Sequence, residues 1–91
     1  MGRAIRRTSR FKRDYKREKK AYPRLDELFG PVVRVLLAGE NLPASNKDHP
    51  LGGNWTGYRD CHLKPDLVLI YKRDDVELTL VRIGSHGELF G

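Results

Sequence analysis

The sequence contains a single cysteine, Cys61, so no disulfide can form within the chain and the fold must rest on its hydrophobic core. It also lacks an apolar run of membrane-spanning length, and no apolar segment follows the basic N-terminus as a secretory signal would require. These absences predict a protein of the reducing cytoplasm that has no membrane partner.

Acidic side chains are scarce at the start of the chain, where only Asp14 and Glu18 stand among the many Lys and Arg residues of positions 1–20. The whole chain carries a formal net charge of +6. This excess favours phosphate-rich partners, although charge alone leaves RNA, DNA, a ribosome and an acidic protein open. A chain of 91 residues is long enough for one compact domain, over 1–91, and too short for two.

The first half of the chain predicts two helices after a short edge strand at 4–8. Ser9 is a plausible N-cap for a helix over 10–21. The second helix has apolar residues at every third or fourth position up to Gly39, a good C-terminal stop. Gly30-Pro31 interrupts this helix and predicts either a kink or two short helices.

The second half predicts three strands. Residues 40–56 are rich in Asn, Pro, Gly and Ser and are typical of a loop. A strand is possible at 58–63, the continuous apolar run 67–71 indicates a buried central strand, and 76–80 alternates as a strand buried on one face. The order β-α-α-β-β-β predicts an α+β fold, with the two N-terminal helices packed on one face of an antiparallel sheet.

Histidine is absent from the first half, and all three histidines stand in the second half beside carboxylates, glycines or aromatics. Cleavage of RNA without a metal needs a base for the 2′-hydroxyl, an acid for the departing 5′-oxygen and cations for the phosphate. Histidine suits both proton-transfer roles at neutral pH, and arginine is the best phosphate ligand. The candidates for this chemistry are His49, His62, His86, Asp60, Asp66, Arg59 and Arg82.

Each candidate also has a simpler interpretation. His49 could be an exposed loop residue, Asp66 a turn former, and His86 part of a frayed terminus. Asp60 and His62 would share a face if their segment is a strand. Metal-ligand spacings such as H-x-x-x-H and C-x-x-C are absent, so we expect neither a metal nor another cofactor.

The motifs of the second half, taken together, resemble the RelE/ParE toxin superfamily, and most closely its YafQ-type mRNA interferases of type II toxin–antitoxin systems. The stretches that carry the resemblance are Lys47-Asp48-His49-Pro50-Leu51, 53–55, Gly57-Tyr58-Arg59-Asp60 with His62, Pro65-Asp66, Leu69-Ile70-Tyr71-Lys72, and 84–91. Before residue 47 the resemblance is one of architecture only.

The resemblance implies a cytoplasmic toxin with a RelE-like fold that enters the ribosomal A site, near the 16S rRNA, and cuts mRNA there. It implies catalytic positions at His49, His62, Asp66 and His86, with Asp60 and Phe90 in supporting roles. It further implies a cognate antitoxin, and contact with operator DNA only through the antitoxin complex.

Within this framework His86 is predicted to be the general acid, His49 the base, and His62 with Asp66 the groups that orient the substrate. Arg82, or more weakly Arg59, would neutralise the phosphate, and Phe90 could stack on a base or pack onto the sheet.

The basic first helix is predicted to bind ribosomal RNA through Lys12, Arg13, Lys16, Arg17, Lys19 and Lys20. Two alternatives remain open from the sequence. One is a ParE-type, non-enzymatic inhibitor of DNA gyrase, which shares the fold and would not need grouped histidines. The other is a basic nucleic-acid-binding module whose histidines are incidental.

Overall fold

The computed structural model describes residues 2–91 and consists of one five-stranded sheet, two long helices and a short C-terminal helix. The elements in chain order are β1 Ala4–Arg7, α1 Ser9–Ala21, α2 Leu25–Leu37, β2 His49–Pro50, β3 Arg59–Lys64, β4 Leu67–Arg73, β5 Glu77–Gly84 and α3 His86–Phe90. Two 3₁₀ turns, Ala44–Asn46 and Gly53–Trp55, flank β2. The predicted α+β class, with two N-terminal helices packed on the sheet, is confirmed.

The strands lie in the order β1-β5-β4-β3-β2, and β1 pairs with β5 in the parallel direction. The other three pairings are antiparallel, as predicted. At the end of β1 the Thr8 hydroxyl donates a hydrogen bond of 2.8 Å to the Val81 carbonyl of β5. This bond holds the C-terminal end of β1 against β5, and α1 follows directly from this parallel edge strand.

Strand β4 is buried on both faces, which explains its continuous apolar run. Leu69 and Tyr71 face α1 and α2 within the main core, whereas Val68 and Ile70 belong to a second apolar cluster on the opposite face. All four side chains have no exposed surface. The predicted buried central strand is therefore confirmed.

Helix α1 begins one residue before the predicted start, so the prediction of Ser9 as N-cap is wrong. Thr8 has an extended backbone, and its hydroxyl oxygen accepts the Phe11 N–H at 3.0 Å. This is the N-cap geometry, in which a side-chain oxygen satisfies a backbone donor that has no partner within the helix.

Helix α2 is one continuous helix through Pro31, so of the two outcomes predicted for Gly30-Pro31 the division into two short helices does not occur. Pro31 is exposed, and its ring lies on the solvent side of the helix. The carbonyl that loses its partner to the proline can therefore bind water. The helix ends as predicted at Gly39, which has a φ of +76° and donates its N–H to the Leu36 carbonyl at 3.1 Å.

Two elements fall in segments that the sequence predicts to be irregular: β2 lies in the 40–56 loop and α3 in the terminal segment. Both are too short to produce a periodic pattern.

Cys61 on β3 is buried, and burial raises the pKa of its thiol to about 12, so the thiol stays protonated at neutral pH. Among residues 2–91 the longest apolar helix falls short of what a bilayer crossing needs.

Candidate active site

The three histidines come from three different elements and converge on the sheet face opposite α1 and α2. His49 of β2 pairs across the strands with Asp60 of β3. His62, two residues further along β3, lies opposite Val68 of the second apolar cluster. The ring centroids of His62 and His86 are 5.1 Å apart. Asp60 and His62 therefore share one face of a strand, as their spacing predicts.

His86 is held by Asp66, which lies in the turn between β3 and β4. The Asp66 Oδ1 atom is 2.7 Å from the His86 Nδ1 atom and also accepts the His86 backbone N–H at 2.9 Å. These two hydrogen bonds, first the backbone one and then the side-chain one, hold the pKa of Asp66 below its ordinary value. An ionised carboxylate at Nδ1 fixes the ring and leaves Nε2 directed at a substrate.

His49 has two oxygen neighbours for one ring nitrogen. Its Nδ1 atom lies 2.8 Å from the Lys47 carbonyl and 3.0 Å from Asp60 Oδ1. Because Nδ1 carries at most one proton, it can serve only one of the two at a time. The hydrogen-bond geometry favours Lys47, so Asp60 Oδ1 accepts no hydrogen bond from the residues that the structure describes. Asp60 is only 2% exposed.

The carboxyl group of Asp60 titrates in the opposite direction from that of Asp66. Burial raises the pKa of Asp60, and the charges that His49, His62 and His86 carry when protonated offset this only in part. The site thus contains one exposed carboxyl group whose pKa is lowered and one buried carboxyl group whose pKa is raised.

Aromatic rings border the histidines on one side. Phe90 lies 6.2 Å from the His86 ring and 6.4 Å from the Trp55 ring, and 41% of it remains exposed. Trp55 packs edge-on against Tyr58 at 5.5 Å and joins the second apolar cluster. Trp55 therefore has a packing role, whereas Phe90 both packs and presents an open surface.

Arg59 does not stand free beside the histidines. Its Nε atom lies 3.3 Å from Asp48 Oδ1, which also accepts the Tyr71 hydroxyl at 2.7 Å. Burial, followed by this hydrogen bond, raises the pKa of Tyr71. No role was predicted for Asp48 from the sequence, yet these two contacts hold its partly buried carboxylate, and Asp48 directly precedes His49. The only available signal was its position in the Lys47–Leu51 motif.

The prediction that Arg82 neutralises the phosphate requires correction. Arg82 is 9% exposed and donates two hydrogen bonds, of 2.7 and 3.0 Å, to the Asp14 carboxylate on α1. A guanidinium committed to a buried carboxylate has few donors left for a substrate. Arg82 therefore connects β5 to α1.

Two of the six predicted ribosome contacts also have carboxylate partners. Arg17 pairs with Asp14, Glu18 and Glu88, and Lys19 pairs with Asp26. The other four cations are exposed and form no ion pair within the range 2–91: Lys12, Arg13, Lys16 and Lys20. The free positive charge of α1 is thus smaller than the sequence suggests.

A depression of about 260 Å³ includes His62 in its lining. The other lining residues are Ser45, Asn46, Lys47, Leu63, Lys64 and Pro65. Two lysines beside a histidine suit a phosphate-bearing chain. Among residues 2–91, the His, Cys, Asp and Glu side chains form no group of three or more that could hold a metal ion.

Several known proteins resemble this chain in both sequence and structure. The mRNA interferase toxin YafQ of Escherichia coli (strain K12) is 39% identical over 84 residues, covering 92% of this chain and 91% of that protein. The crystal structure of YafQ from E. coli strain BL21(DE3) superposes with a TM-score of 0.90 at 38% identity, covering 98% of this chain and 99% of that chain. YafQ within the crystal structure of the E. coli DinJ-YafQ toxin-antitoxin complex gives a TM-score of 0.89 at 38% identity, with complete coverage of both chains.

The term mRNA interferase denotes an endoribonuclease, which is the enzyme class predicted from the sequence. A family model described as a bacterial toxin of type II toxin-antitoxin systems, YafQ, matches residues 3–91. The chain belongs to the YafQ family of bacterial type II toxins.

Proposed function

We propose that this toxin cleaves translated mRNA on the ribosome by metal-independent acid–base chemistry and that a cognate antitoxin neutralises it. The observation that carries the proposal is the convergence of three histidines, two of them beside carboxylates whose pKa values shift in opposite directions. A toxin that only bound DNA gyrase would have no use for such a grouping.

In the proposed reaction the 2′-oxygen attacks the adjacent phosphorus and displaces the 5′-oxygen. His49 removes the 2′-hydroxyl proton, and His86 donates a proton to the leaving 5′-oxygen. The products are a 2′,3′-cyclic phosphate and a free 5′-hydroxyl, so bonds and protons balance.

The carboxyl groups support this division of roles. The pKa of Asp66 is lowered, so its carboxylate is ionised at neutral pH, and it holds His86 at Nδ1 and leaves Nε2 for the leaving oxygen. His49 Nδ1 donates to the Lys47 carbonyl, so Nε2 of a neutral His49 is the acceptor nitrogen that a base needs. His62 and Asp66 would orient the substrate, and exposed Phe90 would stack on a base.

The partners follow from the family and the charge. In E. coli, YafQ is found in a toxin-antitoxin complex with DinJ. We propose that an equivalent antitoxin binds this chain in the cytoplasm, that operator DNA is contacted only through that complex, and that the ribosomal partner is 16S rRNA near the A site.

Expression without the antitoxin is expected to arrest growth and to cleave translated mRNA, whereas naked RNA is cut at least about tenfold more slowly. The physical reason is substrate positioning, which can supply about 7–11 kcal/mol of a barrier. A small, open site cannot hold a flexible strand alone, so the ribosome must do so. The measurement compares initial rates on free and ribosome-bound message of the same sequence. Equal rates would contradict ribosome dependence.

Reversing the charge of one free cation on α1, by Lys16→Glu or Arg13→Glu, is expected to weaken ribosome binding and leave thermal stability unchanged. Binding should fall steeply with salt because neutralised phosphates release counterions. Each variant should reduce the slope of log affinity against log salt by about one for each phosphate that it no longer neutralises.

The matched control is Arg34→Glu, the same charge change at an exposed position in the last turn of α2. It should bind almost as the wild-type protein does. Salt-independent affinity, or an equal loss in Arg34→Glu, would rule out α1 as the RNA-binding surface.

A further inference from the structure

Helix α3 carries both His86 and Phe90, yet it has little packing of its own. It is five residues long, and Leu89 is its single buried side chain. Asp66 fixes the first residue of α3, but a helix of little more than one turn needs a second attachment to keep its orientation.

Glu88 provides that attachment. Its Oε1 atom accepts the Ser85 N–H at 2.9 Å and, with the Ser85 hydroxyl, closes a capping box at the start of α3. Its Oε2 atom lies 3.1 Å from Arg17 Nε on α1 in a charge contact, while the Nε–H itself donates to Glu18 Oε2 at 2.8 Å. One carboxylate thus caps α3 and ties it to the first helix.

Arg17 also binds β5, the strand that leads into α3. Its Nη2 atom donates to the Ile83 carbonyl at 3.2 Å, and its Nη1 atom lies 3.1 Å from Asp14 Oδ1. Asp14 in turn accepts the Ile83 backbone N–H at 3.2 Å. The end of β5 is therefore held at both its carbonyl and its N–H by the same pair of α1 side chains.

The close approach of Arg17 explains the glycine at the hinge between β5 and α3. A Cβ atom at Gly84 would lie 3.0 Å from Arg17 Nη2 and 3.1 Å from Glu88 Oε1. Gly84 leaves the space in which the guanidinium and the carboxylate meet. The connection to α3 is built around this ion pair.

We propose that Arg17 is a positioning residue, which holds α3 through Glu88 so that His86 and Phe90 face the substrate. The proposal rests on the proposed function for the role of His86, and it replaces the predicted role of Arg17 as a ribosome contact. The pair is partly exposed, 44% for Arg17 and 39% for Glu88, so its loss should scarcely change stability. We expect the loss of the pair to change the orientation of α3 and thereby lower the cleavage rate, because small displacements of reacting groups slow a reaction strongly.

The key variant is Glu88→Gln, because glutamine can keep the capping box while the charge that binds Arg17 is lost. This change makes the toxin more positive, so binding to the ribosome should stay equal or become tighter. Positioning predicts the opposite trend for catalysis: kcat on ribosome-bound mRNA falls about tenfold. Arg17→Gln should lose at least as much kcat, because Arg17 also holds the Ile83 carbonyl. The double variant should lose no more than Arg17→Gln alone, because Glu88 acts through Arg17.

The matched control is Arg34→Gln, which removes one charge from an exposed position on α2 without touching α3. It should leave both binding and kcat unchanged. If Arg34→Gln lowers kcat as much as Arg17→Gln, or if Glu88→Gln has wild-type kcat, the positioning role is overturned.

A second readout needs no cleavage. NMR spectra of the toxin without RNA report the ring signals of His86 and Phe90 and the proximity of the His62 and His86 rings, whose centroids lie 5.1 Å apart. Glu88→Gln should move the ring signals and weaken the His62–His86 contact, whereas Arg34→Gln should not. Unchanged spectra overturn the proposal. If the spectra change as expected but the wild-type protein cuts no mRNA, the proposed function fails, whereas the role of Arg17 in holding α3 is retained.

Discussion

Replacing His86 with alanine is expected to slow cleavage of ribosome-bound mRNA by roughly 10²–10⁴-fold, the range for loss of a general acid. The Asp66 carboxylate holds the ring at Nδ1, so the proton on Nε2 is the one available to the leaving oxygen. The imidazole is exposed, and the variant should therefore melt at nearly the wild-type temperature. A large drop in stability would mean that the lost activity reports unfolding.

A modified substrate separates the acid from the base. RNA with a good leaving group at the scissile 5′-oxygen does not need protonation there. On this substrate His86→Ala should recover most of its lost rate, and His49→Ala should not, because the 2′-hydroxyl must still lose its proton. If the His86 variant is equally slow on both substrates, His86 is not the acid and the two roles must be reassigned.

Replacing Arg82 with methionine is expected to destabilise the fold by about 3 kcal/mol, the lower end of the usual effect of breaking a buried ion pair, because Arg17 remains 3.1 Å from Asp14. Asp14 is 3% exposed and receives two hydrogen bonds from Arg82. Chemical unfolding of the toxin and the variant measures the difference.

The double variant Asp14→Asn/Arg82→Met removes the buried Asp14 charge that has lost Arg82, and it keeps an oxygen that can accept the Ile83 N–H. It should be more stable than Arg82→Met alone. If Arg82→Met unfolds with wild-type stability, the ion pair is not a stabilising element of this fold, and a phosphate-binding role for Arg82 must be considered again.

The pH dependence of this effect has a definite sign. Burial alone would raise the pKa of Asp14, but hydrogen bonds from Arg82 and from the Ile83 N–H hold it below its ordinary value of 3.8. The stability that this interaction supplies is therefore present above the ordinary pKa and is lost as pH falls through the lowered one. Without Arg82, the largest of the effects that lower the pKa of Asp14 is lost, so we expect that pKa to rise and protonation of Asp14 at acid pH to relieve the variant. The stability gap between the two proteins should narrow as the pH falls below about 4.

Electrostatic partners were the least predictable part of this sequence. Arg82 and Asp14 are 68 positions apart and stand in different elements, so no local pattern pairs them. The same holds for Arg17 and Glu88, which occur in a basic helix and a terminal segment. An ion pair depends on a separation of a few ångströms in the folded chain, and that separation is set by how α1 and α3 pack around the end of β5.

The short elements β2 and α3 were also not predictable from the sequence, for a related reason. Strand β2 has two residues and exists because β3 offers it a pairing edge that places His49 opposite Asp60. The parallel direction of β1 similarly follows from its attachment to β5. Backbone pairing is satisfied by a neighbour that is remote in sequence, so it leaves little trace in composition.

By itself, the sequence determined the elements whose burial repeats along the chain: the apolar period of α2, the doubly buried run of β4 and the alternation of β5. It also placed the three histidines and their carboxylates in one half of the chain, which directed attention to acid–base chemistry. Only the tertiary structure decided which charges remain free, which carboxylate accompanies each histidine, and that Asp60 is buried whereas Asp66 is exposed. Hydrophobic periodicity is a local property of the chain, whereas burial and charge pairing at a site depend on the elements that the fold brings together there.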